Sequence, residues 1–233
     1  MNAIAGQALR ERGFAIVPAK DYSELLKQKS DWVTFADSWT DLSVDTYMAD
    51  GGRYRRRRFA AFEVSAANIA RKPHQPHYQS RDYNTLNGGI ERWFEPIKSE
   101  IASHPFLQDS LRACHSLFQP LSDNAPDHWH VEVHQFRIET RAGQPGQPTP
   151  EGLHRDGVDW VLVLLISRTN VAEGVTTIYD LARKPLGSFT LTQPMDAAFV
   201  DDSRVYHGVT AVTPIDPTQP GIRDVLVITF RRP

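Results

Sequence analysis

Leu153-His154-Arg155-Asp156-Gly157-Val158-Asp159-Trp160-Val161-Leu162-Val163-Leu164-Leu165-Ile166 is the stretch that decides the fold. From Val158 onward it is an apolar, β-branched run of strand length, the pattern of a strand buried on both faces. Just before that run, His154 and Asp156 stand two positions apart. On an extended chain they project to the same side. Gly152 and Gly157 flank them and relieve crowding. Two side chains able to hold a metal are thus set at the end of a buried strand.

Working outward, the same strand-like character fills the second half of the chain. Eight candidate strands are read at 129–139, 152–156, 158–167, 174–181, 187–192, 196–200, 204–212 and 223–231. Gly143, Pro145, Gly146, Pro148, Pro150 and Gly152 make the connection before His154 irregular, and Pro214, Pro217, Pro220 and Gly221 make the last long turn. The first half reads mainly as helix. Asp21 and Glu24 resemble a capping box ahead of Leu25, Leu26, Trp32, Val33 and Ala36. Ile90, Trp93, Phe94, Ile97 and Ile101 recur at helical spacing up to Ala102, and a second helix is expected from Pro105 to Phe118. Strands are expected early only at 13–17 and 53–64. The expected class is mainly β with flanking α-helices, a double-stranded β-helix (jelly roll, cupin-like). One domain spanning 1–233 is expected, helix-rich over 1–125 and with its jelly-roll core over 126–233.

Bulk properties exclude several classes. At 40% hydrophobic and 23% charged residues the chain is ordinary for a globular protein. A formal charge of −2 provides no general attraction to nucleic acid. No apolar run is long enough to span a membrane, and Met1 to Arg12 lacks the apolar core of a secretory signal. Cys114 is the single cysteine, so no internal disulfide can form. A cytoplasmic location is expected, a reducing compartment in which a lone thiol stays free. The oligomeric state is open, a homodimer being compatible with the sequence.

With nine histidines, one His-x-Asp match carries little weight alone. His207, in Tyr206-His207-Gly208-Val209, supplies the missing third ligand on another strand. Two imidazoles and one carboxylate form the facial set that holds Fe(II) and leaves positions free for a co-substrate and O2. Arg223 follows on the last strand-like run among apolar neighbours. A planar guanidinium there suits the distal carboxylate of 2-oxoglutarate, the alternative being a salt bridge with Asp224 or a loop acid. His154, Asp156, His207 and Arg223 together therefore point to an iron- and 2-oxoglutarate-dependent oxygenase. A rival cluster, His130, Glu132 and His134, alternates along one strand. That spacing is wide for a single ion, and a partly wet sheet face explains it as well.

Beyond the ligands, the chain resembles the bacterial 2-oxoglutarate/Fe(II) dioxygenases that hydroxylate free L-amino acids, the group of L-isoleucine 4-hydroxylase. The resemblance is carried by Tyr78-Gln79-Ser80-Arg81-Asp82-Tyr83-Asn84, Asn87-Gly88-Gly89, His134-Gln135-Phe136-Arg137, Leu153-His154-Arg155-Asp156, Tyr206-His207-Gly208-Val209-Thr210 and Arg223-Asp224-Val225-Leu226-Val227-Ile228-Thr229-Phe230. These run in order from about residue 53 to the C-terminus. The resemblance implies a double-stranded β-helix, iron at His154, Asp156 and His207, and 2-oxoglutarate held by Arg223. It also implies hydroxylation, or sulfoxidation of a methionine-like substrate. One departure stands out: Val171-Ala172-Glu173-Gly174 follows Asn170, where a Gly-Gly pair is expected.

An amino-acid substrate needs a cation for its carboxylate. The basic run Arg53 to Arg58 is one source, although most of its arginines read as a solvated face; Arg58 is the expected contributor. Arg137 is the better candidate, sharing a strand face with Gln135, with a salt bridge to Glu139 or Asp159 as its alternative. Trp160 is expected either to wall the pocket or to sit in the core. Two competing functions remain: a cupin-like metal-binding isomerase that needs no 2-oxoglutarate, and a non-catalytic binding protein.

Overall fold

The computed structural model describes residues 2–26, 31–84 and 86–233. Its helices are α1 (Asn2–Arg12), α2 (Ala19–Ser23), α3 (Trp32–Asp37), α4 (Ser99–Ala102) and α5 (Pro105–Phe118). Its strands are β1 (Phe14–Val17), β2 (Ser43–Val44), β3 (Arg55–Val64), β4 (Ile69–Arg71), β5 (Trp129–Thr140), β6 (Trp160–Thr169), β7 (Val171–Glu173), β8 (Thr176–Tyr179), β9 (Pro185–Phe189), β10 (Ala197–Asp201), β11 (Tyr206–Val209), β12 (Val212–Pro214) and β13 (Gly221–Arg231). An eight-stranded sheet runs β1-β10-β6-β13-β5-β3-β2, with β4 on β3. A three-stranded sheet, β11-β8-β9, and the pair β12-β7 complete a jelly roll in which the strand pairings are antiparallel.

Alternation divides the large sheet into two faces. Trp129, Val131 and Val133 of β5, Trp160, Leu162 and Leu164 of β6, and Leu226, Ile228 and Phe230 of β13 join one apolar core with Phe106, Leu107, Leu111 and Phe118 of the helical layer. The indole of Trp39, fully buried, donates to the carbonyls of Phe136 (3.1 Å) and Val225 (3.2 Å) and ties that layer to β5 and β13. The residues between them in sequence face the interior of the roll. There, Arg223–Ile138–Arg55, Val225–Phe136–Arg57, Val227–His134–Phe59 and Thr229–Glu132–Ala61 form successive rows across β13, β5 and β3.

Three local expectations are corrected. Residues 90–102 are not one helix. Pro96 cannot donate to a helical ladder, and the segment instead runs beside β3, with Phe59 N–H donating to Glu95 and Ile97 N–H to Phe59; only Ser99–Ala102 is helical. The helix expected after Asp21 appears as the separate α2 and α3, and residues 27–30 of that expectation lie outside the described ones. Glu24 ends α2, whereas Asp31 caps α3 by accepting from Thr34 N–H. Residues 152–156 are not a strand either. They make a single bridge, His154 to His207. Gly152 (φ 75°) and Gly157 (φ 78°) adopt left-handed backbone at either side, which breaks an extended ladder.

Candidate active site

The open interior of the roll is a cavity of about 380 Å³, lined from both sheets and from the segment around residues 75–92. At one end it holds His154, Asp156 and His207. One ligand atom from each lies within 4.8 Å of the other two. His154 Nε2 is 3.6 Å from one carboxylate oxygen of Asp156, and His207 Nε2 is 3.5 Å from the other. His154 Nδ1 donates to the Gly152 carbonyl at 3.0 Å, which aims Nε2 into the cluster. The fully buried Asp202 accepts from the N–H groups of Asp156 (2.9 Å), Gly157 (2.8 Å) and Val158 (3.2 Å) and so fixes the turn carrying Asp156. Those three donors oppose burial and the nearby Asp156 charge, which push the Asp202 carboxyl up to about 7.

The electrostatics suit a cation. Burial works against charge on His154, but Asp156 and Glu151 outweigh it and raise the imidazole to about 9. Asp156 is held well below the usual carboxylate range, since its bonds and charge interactions with the two histidines overcome burial. Burial, with the charge on His154, lowers His207 to about 4. The buried Nδ1 of His207 has no hydrogen-bond partner. Metal-free, the cluster is one imidazolium, one carboxylate and one neutral imidazole. A divalent ion replacing the His154 proton finds two neutral nitrogens and an anionic oxygen, the donor set suited to Fe(II).

Arg223 lines the same cavity, 3% exposed. Burial and the neighbouring Arg168 push its guanidinium down to about 10, so it stays charged at neutral pH. Among the described residues no carboxylate lies within ion-pair distance, and its Nε has no partner. Asp224 points to the opposite face and is engaged by Arg137. Close by, Glu173 takes the left-handed backbone (φ 61°) at the expected Gly-Gly turn, followed by Gly174 (φ 72°). The turn survives the departure, with Arg168 donating to the Glu173 carbonyl.

The four residues expected to bind substrate lie on the wrong face of the large sheet. Arg137 is bidentate to Asp224 at 2.8 and 2.8 Å. Gln135 donates to Ser38 Oγ, and Arg58 donates to the carbonyls of Asp41 and Pro96. Trp160 stacks on Phe118 (5.1 Å) and donates to Ser122 Oγ, so it belongs to the core. The reason is parity: a strand turns alternate side chains to opposite faces. Val131 and Val133 are core, so 135 and 137 share their side. Even positions of β5 and odd positions of β3 therefore face the cavity. That signal was present in the apolar pair Val131 and Val133.

The residues missed are Arg55, Arg57, Arg92, His77 and Glu151, all lining the cavity. The rival cluster is real as a cluster, with His77 joining Glu132 and His134. Its tautomers disfavour a metal. Arg57 must donate to His134 Nδ1 (2.6 Å), and Lys72 to His130 Nδ1 (3.0 Å), because neither cation can accept. The ring hydrogens then sit on Nε2, towards Glu132, and no lone pair is left there. Burial lowers His134 to about 3, so it stays neutral.

A family model described as 2OG-Fe dioxygenase matches residues 36–229. The chain belongs to that family. Members use Fe(II) and 2-oxoglutarate, and the protein is accordingly an oxidoreductase, a 2-oxoglutarate/Fe(II)-dependent dioxygenase. It is 26% identical to L-isoleucine-4-hydroxylase of Bacillus thuringiensis over 82% of each chain. It is also 26% identical to 3(1)-hydroxy-L-isoleucine 4-dioxygenase of Pantoea ananatis, over 96% of this chain and 94% of that one. Among solved structures, a bsmA homolog from Methylobium petroleophilum superposes with TM-score 0.90 at 38% identity, covering 99% of this chain and 92% of that one. IDO from Bacillus thuringiensis shares the fold, with TM-score 0.83 at 16% identity over the whole of both chains. No helix among the described residues is long and apolar enough to cross a membrane.

Proposed function

We propose that this dioxygenase hydroxylates, or sulfoxidises, a free aliphatic L-amino acid with release of succinate and CO2. The observation that carries the reading is the pairing, inside one cavity, of the His154–Asp156–His207 cluster with a buried, unpaired Arg223. The two curated relatives described above bear names of isoleucine or hydroxy-isoleucine oxygenases, which favours a small aliphatic amino acid over a peptide.

In this reading His154, Asp156 and His207 hold Fe(II), and Arg223 takes the distal carboxylate of 2-oxoglutarate. The bound iron supplies the oxidising power by coupling decarboxylation of 2-oxoglutarate to reduction of O2. The chain supplies the rest. Gly152 and Asp202 fix the ligand orientations. Arg223 sets the co-substrate's direction by two parallel hydrogen bonds. Val161, Val163, Val225 and Val227 line the cavity with apolar groups that exclude water.

The test is a panel of free L-amino acids with Fe(II), ascorbate and 2-oxoglutarate, read by mass spectrometry for the gain of one oxygen atom and for succinate. Succinate formation should need Fe(II) and vanish in His154→Ala. Arg223→Met should raise the KM for 2-oxoglutarate at least about 100-fold, because two charged hydrogen bonds at roughly 1.5–3 kcal/mol each are lost. An unchanged KM would move the co-substrate site elsewhere.

A further inference from the structure

Arg223 is not the only cationic group left short of partners in the cavity. Arg57, 3% exposed, and Arg92, 2% exposed, also line it, and the Nε of each has no hydrogen-bond partner among the described residues. The Arg57 guanidinium lies over the rings of Phe94 (3.6 Å to the ring centre) and Phe136 (4.4 Å), apolar surfaces that offer it no hydrogen bond. Its terminal nitrogens reach His134 at 2.6 Å and Asp45 at 3.7 Å. Among the described residues the hydrogen-bond contact of Arg92 is a long one to Gln79, 3.5 Å, and its guanidinium lies over Phe94 at 5.8 Å. Asp45 is engaged more closely by Arg55, at 2.7 Å. Among the described residues Asp45 is the one carboxylate within ion-pair distance of Arg55 and Arg57, and none is within that distance of Arg92, on which Asp45, Glu151 and Glu132 act only at longer range. An uncompensated buried charge is costly, so a ligand anion is the natural partner.

A complementary group lines the same cavity. Glu151 lines the cavity, and its Oε2 is buried without a partner. Its charge is close enough to act on Arg92, and its other oxygen lies 3.6 Å from His154 Nε2. Glu132, by contrast, already accepts from His77 (2.7 Å) and His130 (3.3 Å). Glu151 is thus the carboxylate with acceptor capacity to spare.

We propose that Arg57 and Arg92 form a second anion subsite that binds the substrate's α-carboxylate, with Glu151 accepting from its α-ammonium. This rests on the amino-acid reading above and deepens it. The subsite lies on β3 and the 75–92 segment, two strands away from Arg223 on β13. Neighbouring strands are about 4.8 Å apart, so two anions can occupy the cavity together without sharing a guanidinium. The zwitterion is held at its head, and the apolar side chain is left to extend along the valine-lined wall.

Calorimetric titration of the anaerobic protein loaded with Fe(II) tests this. The probes are L-isoleucine and L-leucine, their amides, which lack the carboxylate charge, and 3-methylpentanoate and 4-methylpentanoate, which lack the ammonium. 2-Oxoglutarate is titrated first; if it fails to bind, the reading under Proposed function falls. If it binds but neither amino acid does, or if the amides and des-amino acids bind as tightly, the subsite alone is overturned. The expected wild-type result is a loss of roughly 10- to 100-fold on removing either charge. Arg92→Gln should weaken the free acid by a similar factor while leaving the amide within about threefold, with Arg92→Lys intermediate. Glu151→Gln should act likewise on the amino acid but not on the des-amino acid. Equal weakening of charged and uncharged probes by either variant would reveal a structural role and overturn the assignment.

Discussion

At the scale of single residues, the meeting of His154, Asp156 and His207, proposed above to hold the metal, was legible because these residue types are recognisable whatever the packing. Two imidazoles and a carboxylate carry their role in their atoms, and their order along the chain is visible in the sequence. Arg223, proposed to take the co-substrate, was singled out on the same ground, and it lines the same cavity. The rest of the pocket was not, because whether Arg57 or Arg58 faces inward depends on a one-residue choice of parity. The cluster's proton inventory leads to a prediction. Without metal, His154 titrates at about 9, against about 6.5 for an unperturbed histidine. Because this pKa is raised on folding, its stabilisation is fully present below about 6.5 and is lost as pH rises through 9. Asp156, depressed, contributes above its ordinary value and loses that contribution as pH falls towards its folded value. A metal must displace the His154 proton, so between roughly pH 6.5 and 9 its apparent affinity should rise about tenfold per pH unit and then level off. At neutral pH close to one proton should be released per metal bound. Calorimetry in buffers of different ionisation enthalpy measures that release. A pH-independent affinity with no proton release would show that His154 is neutral before binding.

Among the elements, β5 and β13 illustrate how far local pattern reaches. Both were expected close to their observed bounds, since period-two alternation and β-branched runs are properties of short segments. The 90–102 helix was misread by the same local logic: a three- and four-residue apolar spacing there serves contacts with β3 instead, and Pro96 decides against the helix. What no local pattern shows is which strand lies opposite which. The pairing of β5 with β13 puts Arg137 opposite Asp224 and makes that bidentate bridge part of the ladder, with Ser167 on β6 donating to the same carboxylate at 2.8 Å. Asp224 is almost fully buried, its side chain 3% exposed. Arg137→Met should therefore destabilise by about 3–5 kcal/mol, since one partner of a buried pair is left charged without its counterion. Urea denaturation reads the loss, and Arg137→Met/Asp224→Leu should recover most of it. The KM for amino acid and 2-oxoglutarate should not move in Arg137→Met. A large rise in amino-acid KM at modest loss of stability would return Arg137 to the substrate site.

For the whole molecule, the division into a helix-rich part and a jelly-roll core cuts through the large sheet. β1 pairs with β10, and β3 pairs with β5 along the full length of β3. Both partnerships join residues before 125 to residues after it. β1 and β3 were visible in the sequence, whereas β2 and β4 were not, and the place of any of them in the sheet was not, because it is set by contacts distant along the chain. Residues 126–233 alone would keep β5, β6 and β13 while losing the helices that cover them. Trp129, Val131, Val133, Trp160, Leu162, Leu164, Leu226, Ile228 and Phe230 would then face water. At about 1.5–3 kcal/mol for each large side chain, their exposure costs on the order of 20 kcal/mol. That exceeds the roughly 5–15 kcal/mol by which a domain is stable at all. The bare β5 edge adds a template for aggregation. The 126–233 fragment should accordingly be insoluble or non-cooperative in denaturant and should bind neither metal nor 2-oxoglutarate, although it carries His154, Asp156, His207 and Arg223. Co-expression with residues 1–125 should restore both binding activities. A fragment that unfolds cooperatively alone would mean that the jelly roll carries its own core, and that the helical layer serves the cavity rather than the fold.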